Sequence, residues 1–461
     1  MFLSPVSLSR LGYVDVASTV SRLMEARNIR APALNTLSAS YTTSISTYGQ
    51  LQSALGTFRD AAQPLTGNVF NASTATSSNA SVAAATTSST SAVGTYAVQV
   101  NQLASAQALS SAGQTSETAA IGSGATTTLT FQFGTTAGTT FTPNAGQTSP
   151  TVTITNNSLQ GIASAINTAN IGVTAGVSFD GASYHLTVKR NATGASNSMS
   201  ISATGDAAVV GLVSYAPGGT QTTTQTVAAQ DAQVAVNGVA ISNSTNTLVG
   251  TLPGTTLAVA TLGSTNITVA PDLAKITSNA ANFVKAYNTL MSTLESLAQS
   301  DPSSGMVLQN VRNHLSATLN STQSALAGSS YTSPAQVGIT TQADGTLALN
   351  TASFHSALST NLGNVAKIFT NNGQGIADTF VSQVQSQVGS GSWISAAQSS
   401  LNAGARSIDN TKSALSLALT TETQRLIDRY TNLNLSLARW QQTSSMFSNA
   451  PSETGTLNLF A

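Results

Sequence analysis

Apolar side chains recur at helical spacing near the C-terminus of the chain. The stripe contains one residue in every seven and two more that follow a member by four positions: Leu419, Leu426, Leu433, Trp440 and Phe447, with Tyr430 and Leu437. Spacings of three and four residues place such side chains on one face of an α-helix. Because a long helix gains most of its stability by burying its stripe, the pattern predicts a partner helix.

A matching repeat lies near the N-terminus. It consists of two interleaved heptad series, Val16, Leu23, Leu37, Leu51 and Phe58 in one and Val20, Leu34, Tyr41, Tyr48 and Leu55 in the other. Arg27, Arg30 and Ser44 interrupt these series. Asp15 is the predicted N-cap, and Pro32 is predicted to end the first segment because proline cannot continue a helical hydrogen-bond ladder. The second segment is expected to end near residue 62.

The two repeats predict that both chain ends meet in one helical assembly. Stripes of this kind are typical of a core within one subunit and equally of a seam shared between subunits, so the pattern leaves both possibilities open. A third helical repeat begins after Pro271-Asp272. It consists of two heptad series, Leu273, Ala280, Tyr287 and Leu294 in one and Ile276, Phe283, Leu290 and Leu297 in the other. Shorter helices are expected at about 307–326, 351–370 and 374–388. A long final helix is expected to begin after Trp393 and to end near residues 449–451.

Alternation of apolar and polar residues predicts short strands in the middle of the chain. They fall at 96–100, 129–133, 152–154, 173–177, 184–188, 234–241, 248–252, 257–259 and 267–269, with a short helix at 159–167. Asp180-Gly181, Asn237-Gly238 and Pro253-Gly254 mark turns between strands. The mostly polar run 68–91 is expected to form an extended connector. We expect strand 96–100 to pair with the group that follows residue 233.

Composition excludes several classes of function. Only 7% of residues are charged, and 16 basic side chains balance 16 acidic ones, so the chain lacks the basic face that nucleic acids or anionic membranes require. Without cysteine it has neither disulfides nor thiolate metal sites. No apolar run approaches the roughly 18 residues of a membrane span, and the N-terminus lacks the pattern of a Sec signal. Membrane insertion is therefore not expected.

Candidate catalytic groups do not form a convergent pattern in the sequence. The side chains considered are His185, His314 and His355, the carboxylate pairs Asp180 with Asp206 and Glu422 with Asp428, and the glycine-containing segments Gly122-Ser123-Gly124 and Asp344-Gly345. Packing, turn and solvated-helix roles account for each of them, since a histidine without a positioned partner is not a site. We predict no catalytic, cofactor-binding or metal site, and a protein that is not an enzyme.

Several segments carry a family resemblance. DVASTVSRLMEAR and YAVQVNQLASAQ lie near the N-terminus, and DAQVAVNGVAI, LPGTTL, FVKAYNTL and VGITTQADGTLALN follow in the second half of the chain. Together they resemble the flagellar filament cap family, also called hook-associated protein 2. The run 158–197 resembles the IN motif of flagellins and hook-associated proteins. Residues 108–157 match no segment of the family, and the ending around Arg439, Trp440 and Met446 follows it loosely.

The resemblance implies a structural function. Family members cap the bacterial flagellar filament as a closed homo-oligomeric ring that helps exported flagellin subunits fold and insert. The implied partners are other copies of the chain, flagellin, the hook-filament junction protein and an export chaperone. The implied location is extracellular, at the filament tip, after export by the flagellar type III apparatus. Two alternatives stay open: a flagellin-like or junction protein, and an adhesin whose head binds host glycans or mucin.

The expected fold class is α+β and multidomain, with a coiled-coil leg from both chain ends that carries two mainly antiparallel β heads. The expected division has flexible ends at 1–15 and 448–461, a helical leg of 16–66 and 272–447, a discontinuous β head of 67–115 and 223–271, and an inserted β domain of 116–222 that contains the IN motif.

Overall fold

The computed structural model describes residues 14–321, 326, 328–389 and 391–448. Its helices are α1 (Val16–Arg27), α2 (Arg30–Ala62), α3 (Leu159–Ala169), α4 (Ala207–Val213), α5 (Leu273–Ser300), α6 (Gly305–Ser321), α7 (Thr351–Phe369), α8 (Ile376–Val388) and α9 (Trp393–Ser448). Most of the expected flexible ends, and the side chain of Phe447, lie outside the described residues.

The strands lie mainly between α2 and α5. They are β1 (Ser73–Ser77), β2 (Ala83–Thr87), β3 (Gly94–Gln102), β4 (Ala108–Ser110), β5 (Thr127–Ala137), β6 (Thr140–Pro143), β7 (Thr151–Ile154), β8 (Val173–Phe179), β9 (Tyr184–Arg190), β10 (Ser198–Thr204), β11 (Thr224–Val227), β12 (Ala232–Val236), β13 (Val239–Asn243), β14 (Thr247–Leu252), β15 (Thr255–Val259), β16 (Gly263–Pro271), β17 (Ile339–Thr341) and β18 (Leu347–Leu349). Every pairing of these strands is antiparallel. The predicted α+β fold class is confirmed.

The described residues form two compact units. One contains the residues up to Thr66 together with those from Thr277 onward, and the other runs from Gly67 to Ile276. The first unit is helical apart from the β17–β18 hairpin, and the second holds the remaining strands with α3 and α4.

An aromatic network forms the centre of the helical unit. The Phe58 ring lies 5.6 Å from Phe283, 5.9 Å from Tyr287 and 5.1 Å from Phe380, centroid to centroid. Phe369 joins through Phe283 at 6.5 Å. All five side chains are fully buried. Phe58, Phe283 and Tyr287 belong to the predicted heptad series, whereas the convergence of α7 and α8 on them was not predicted.

The break between α1 and α2 lies earlier than predicted. The Asp15 side chain accepts a hydrogen bond from Ser18 N, which confirms the predicted N-cap. However, α1 ends at Arg27, and Pro32 does not end it: the proline is the third residue of α2. The first four N–H groups of a helix have no partner within the helix, so proline is tolerated there.

A five-stranded sheet in the second unit has the strand order β1-β16-β3-β12-β13. β3 pairs with both β16 and β12, as the sequence-based pairing predicts. The two-residue turn at Asn237-Gly238 is also confirmed, since both residues have positive φ. The run 68–91, expected to form an extended connector, instead contains two strands of the sheets: β1 pairs with β16 and β2 with β15. These two strands consist of Ser, Thr and Ala, so they lack apolar alternation and depend on their partners.

A separate hydrophobic core lies between residues 109 and 215. Phe131, Ile154, Ile162, Leu186 and their neighbours pack together, with α3 lying against β8. The predicted hairpin near Asp180 is confirmed, but four residues, 180–183, separate its strands, because Phe179 and Tyr184 are the last paired residues. The short elements β4, β6, β10, β11 and α4 were not predicted. The other core of this unit joins residues 82–104 to 232–269.

Candidate assembly surfaces

The two chain ends meet in the helical unit, where α9 packs along both α1 and α2. Val14 N–H donates to Asn434 Oδ1 at 3.0 Å, and Asn434 Nδ2 donates to the Val14 carbonyl at 2.8 Å. An ion pair of 2.5 Å joins Arg27 to Glu422. The contact of Asn434 was not predicted, although this residue lies between Tyr430 and Leu437 on the apolar stripe, where a polar side chain is a usable signal.

The burial of the apolar stripe residues differs along α1, α2 and α9. Leu51, Leu55 and Phe58 of α2 are 0% exposed, whereas Leu23 is 36% and Leu37 is 45% exposed. On α9, Leu433 and Trp440 are 44% and 50% exposed. The predicted stripe is thus closed within the subunit near Phe58. Toward the chain ends Val20 is still buried, at 3% exposed, but four other stripe residues are not covered. We refer to these four, Leu23, Leu37, Leu433 and Trp440, as the open seam.

A groove of about 520 Å³ lies between the α1–α2 break and α9. Met24, Ala31, Leu415 and Leu419 give it an apolar floor. The Oδ1 atom of Asn28 is buried in the described structure without a hydrogen-bond donor. The groove lies next to the open seam. It therefore adds to the surface of α1, α2 and α9 that is not covered within the subunit.

A buried polar cluster replaces apolar packing at the middle of α2. Ser44 and Thr47 are buried there, and the carboxylate of Asp301 accepts hydrogen bonds from Ser303 Oγ and from Ser304 Oγ at 2.6 Å. Ser44 Oγ lies 3.3 Å from Ser303 Oγ. Burial by itself raises the pKa of Asp301, but the hydroxyl groups outweigh it and lower the pKa below its ordinary value. The polar interruption of the stripe at Ser44 therefore has a structural partner.

The three histidines considered as candidates lie in separate elements. His185 lies in β9, His314 in α6 and His355 in α7. The ring of His185 contacts the Ser111 carbonyl at 2.8 Å and an Asp180 carboxylate oxygen at 3.0 Å. These contacts tie a strand to a neighbouring segment and to a turn.

Asp206 is held by the glycine-containing segment at 122–124. Ser123 donates to its carboxylate from N at 2.6 Å and from Oγ at 2.8 Å, and Asn157 Nδ2 donates at 3.3 Å. Asp206 also caps α4 by accepting from Ala208 N. The Ser123 hydroxyl is the main cause of the lowered pKa of Asp206. Gly122-Ser123-Gly124 thus binds an anion, and that anion is a side chain of the same protein.

The remaining candidate carboxylates have local partners. Glu422 pairs with Arg27 and with Arg425, and Asp428 accepts from Gln424 Nε2 at 2.9 Å. Asp344 accepts from N and Oγ1 of Thr346 in the turn between β17 and β18. Within residues 14–321, 326, 328–389 and 391–448, no three His, Asp or Glu side chains gather closely enough to hold a metal ion. No helix in that part of the chain has the length and apolar character of a membrane span.

This chain is similar to known proteins over most of its length. Two family profiles match it: "Flagellar hook-associated protein 2 N-terminus" over residues 13–107 and "Flagellar hook-associated protein 2 C-terminus" over 229–442. Flagellar hook-associated protein 2 of Escherichia coli K12 is 30% identical over 464 residues, covering 95% of this chain and 97% of that protein. The B-type flagellar hook-associated protein 2 of Pseudomonas aeruginosa PAO1 is 25% identical over 391 residues, 78% of this chain and 79% of the relative.

The fold also has a solved counterpart. The crystal structure of the D1-D2-D3 domains of the flagellar cap protein FliD from Escherichia coli matches with a TM-score of 0.63 at 33% identity, covering 77% of this chain and 99% of that chain. Residues 108–228 lie outside both family profiles. The resemblance of 158–197 to an IN motif therefore stays a prediction.

Proposed function

The chain belongs to the flagellar hook-associated protein 2 family, and on that basis we propose that it is a structural subunit of the cap at the tip of the bacterial flagellar filament. The observation that carries this proposal is the correspondence over 97% of the length of the E. coli relative. The two family profiles begin at residue 13 and end at residue 442. The cap subunit interacts with flagellin and assembles with other copies of itself.

Capping of this kind is mechanical. A ring whose symmetry differs from that of the filament lattice leaves one gap at a time, and each arriving flagellin subunit folds and inserts there. The open seam supports this mechanism because Leu433 and Trp440 leave apolar surface for a neighbour, while the aromatic network around Phe58 stabilises the rest of the helical unit. Ring contacts must close on themselves, as heterologous contacts in finite assemblies do.

We also propose a route of export and further partners. The chain leaves the cell through the flagellar type III apparatus, is held by an export chaperone beforehand, and adjoins the hook-filament junction protein during assembly. As a structural subunit it has no enzymatic activity.

We also propose the division into a leg of 16–66 and 272–447, a β head of 67–115 and 223–271, and an inserted domain of 116–222. The two separate hydrophobic cores of the β unit support the last two parts.

Complementation of a cap-deficient strain tests the function. Expression of this chain is expected to restore a motility halo and to reduce monomeric flagellin in the culture supernatant. Electron microscopy of the purified chain is expected to show closed rings. Continued leakage of flagellin from cells that secrete the intact chain, together with the absence of rings, would overturn the proposal.

A further inference from the structure

The ring of His185 lies between two hydrogen-bond acceptors. Nδ1 is 2.8 Å from the Ser111 carbonyl oxygen, and Nε2 is 3.0 Å from Asp180 Oδ2. Neither a carbonyl nor an ionised carboxylate can donate a proton, so each contact requires an N–H on the ring. A neutral imidazole carries one N–H and the imidazolium carries two. Only the protonated ring satisfies both contacts.

The two acceptors belong to different parts of the β unit. Asp180 begins the turn of residues 180–183, where its Oδ1 accepts from Ala182 N and Ser183 N, both at 2.8 Å. Ser111 follows β4 in a segment that pairs with the start of β9 through Gln114 and Tyr184. A protonated His185 therefore joins the turn to this neighbouring segment.

The 111–114 segment, the 180–183 turn and the His185 ring are closely packed, so small movements change their contacts. A Cβ atom added to Gly113 would lie 2.6 Å from Ser183 Cβ and 3.3 Å from His185 Cε1. The groups that face the ring are thus the Ser111 carbonyl and Gly113 from one side and Asp180 from the turn. Among the described residues, Asp180 is the charged group that acts on the ring. The His185 side chain is 23% exposed, so the ring is accessible to solvent.

We propose that His185 is a pH-operated clasp that ties the 180–183 turn to the 111–114 segment while its ring is protonated and loosens the tie when the ring loses a proton. In the neutral ring, one nitrogen presents a lone pair to an acceptor, so one of the two contacts becomes repulsive. An aromatic pair flanks the turn: Phe179 ends β8 and Tyr184 begins β9, with ring centroids 4.8 Å apart and Phe179 56% exposed. External pH thereby controls how firmly this aromatic tip is held.

The direction of the pH dependence follows from the pKa of the ring. The Ser111 carbonyl, followed by the Asp180 carboxylate, raises the pKa of His185 above its ordinary value of 6.5. A group whose pKa is raised on folding stabilises the folded state fully below its unfolded pKa, and this stabilisation is lost as the pH rises through the folded pKa. The clasp is therefore closed in acid and opens as the pH rises through the pKa of His185, which lies above 6.5.

Nuclear magnetic resonance of the full chain with labelled histidine tests the clasp, since the sequence holds three histidines and His185→Gln assigns one signal. We expect both ring nitrogens of His185 to be protonated at pH 6, with a titration midpoint above 6.5. The amide signals of Gly113, Ala182 and Ser183 should shift with the same midpoint. A neutral ring at pH 6, or amides that do not follow the ring, would overturn the proposal.

Two variants distinguish a pH-operated clasp from a histidine that only supports the local structure. Asp180→Asn keeps an oxygen for the turn amides but removes the charge, so the His185 midpoint should fall. His185→Gln should abolish the pH-dependent shifts at Gly113 and Ser183, whereas the matched control His355→Gln, on α7, should leave them intact. Persistence of these shifts in His185→Gln would refute the clasp. If His185→Gln fails to fold, the Asp180→Asn titration alone decides.

Discussion

Asn434 and Val14 are 420 positions apart and form a reciprocal pair in which the side-chain amide of Asn434 both accepts from and donates to the backbone of Val14. The same geometry recurs in three pairs: Asn288 with Leu347, Asn246 with Ala104 and Asn167 with Ala175. A carboxamide has the donor and acceptor of a peptide group, so it can extend a backbone as a neighbouring strand would. In a chain with 7% charged residues, the pairs of Asn434, Asn246 and Asn288 join residues that are 420, 142 and 59 positions apart through neutral groups.

The Asn434 pair predicts that one substitution separates the chain ends. Asn434→Asp keeps the acceptor for Val14 N–H but places a second oxygen against the Val14 carbonyl. The contact is weakened because one donor is lost and because the new carboxylate is charged. Faster amide hydrogen exchange is expected at Val14 and along α1. The matched control Asn402→Asp, on the same helix, should leave α1 unchanged, because the Asn402 side chain donates to the Gln398 carbonyl of its own helix. Equal exchange in both variants would contradict the pairing.

The Asp301 cluster predicts a stability difference that depends on pH. Its lowered pKa means that the carboxylate stabilises the folded state above the ordinary value of 3.8 and that this contribution disappears as the pH falls below it. Asp301→Asn should lower the urea midpoint at pH 7, and the difference from the parent chain should shrink at pH 3. Ser44→Ala should cost roughly 0.5–1.5 kcal/mol at pH 7. A difference for Asp301→Asn that is the same at both pH values would rule out this role.

The aromatic network predicts a graded loss of stability. Phe380→Ala removes the ring closest to Phe58 and should cost about 3–5 kcal/mol, and Leu290→Ala, at a 1% exposed position, about 2–5 kcal/mol. Leu426→Ala should cost less because Leu426 is only half-buried. Chemical denaturation measures all three. A larger loss for Leu426→Ala than for Leu290→Ala would contradict the burial gradient.

The Asp206 loop predicts that glycine is required at position 122. Gly122 has φ +74°, and a Cβ added there would lie 2.1 Å from Asp206 Oδ1. Gly122→Ala should therefore lower the thermal midpoint of the β unit, whereas Gly124→Ala, at a similar φ but with open space around it, should be milder. Differential scanning calorimetry makes the comparison, and equal losses would mean that backbone strain alone is responsible.

The open seam predicts a functional loss without a stability loss. Leu433→Ala should change the free energy of unfolding by no more than about 0.5 kcal/mol, because the side chain is already exposed within one subunit. Motility should fall and flagellin leakage should rise in the complemented strain, since the apolar contact with a neighbour is lost. Leu435→Ala is the matched control: Leu435 is 53% exposed on the same helix but lies outside the stripe. If the two variants show the same motility, the open seam has no part in capping.

Local patterns were sufficient for much of the architecture. The heptad positions of Phe58 and Phe283 predicted helices that pack together, and Asp15 predicted where the first helix begins. Asn237-Gly238 predicted a two-residue hairpin turn. Each of these features depends on side-chain spacing or backbone preference within a few residues, which the sequence displays directly.

Other features depended on residues that are remote in the sequence. The strands β1 and β2 were missed because their Ser, Thr and Ala residues become strand by pairing with β16 and β15. The periodicity of the stripe could not tell which part is covered within the subunit, because coverage depends on where α9 meets α1 and α2. Asn434 required a backbone partner 420 positions away, and the two acceptors around His185 come from a turn and from a segment 74 positions earlier. Only the tertiary structure brings such groups together, because their interaction energy depends on distance in space and not on separation along the chain.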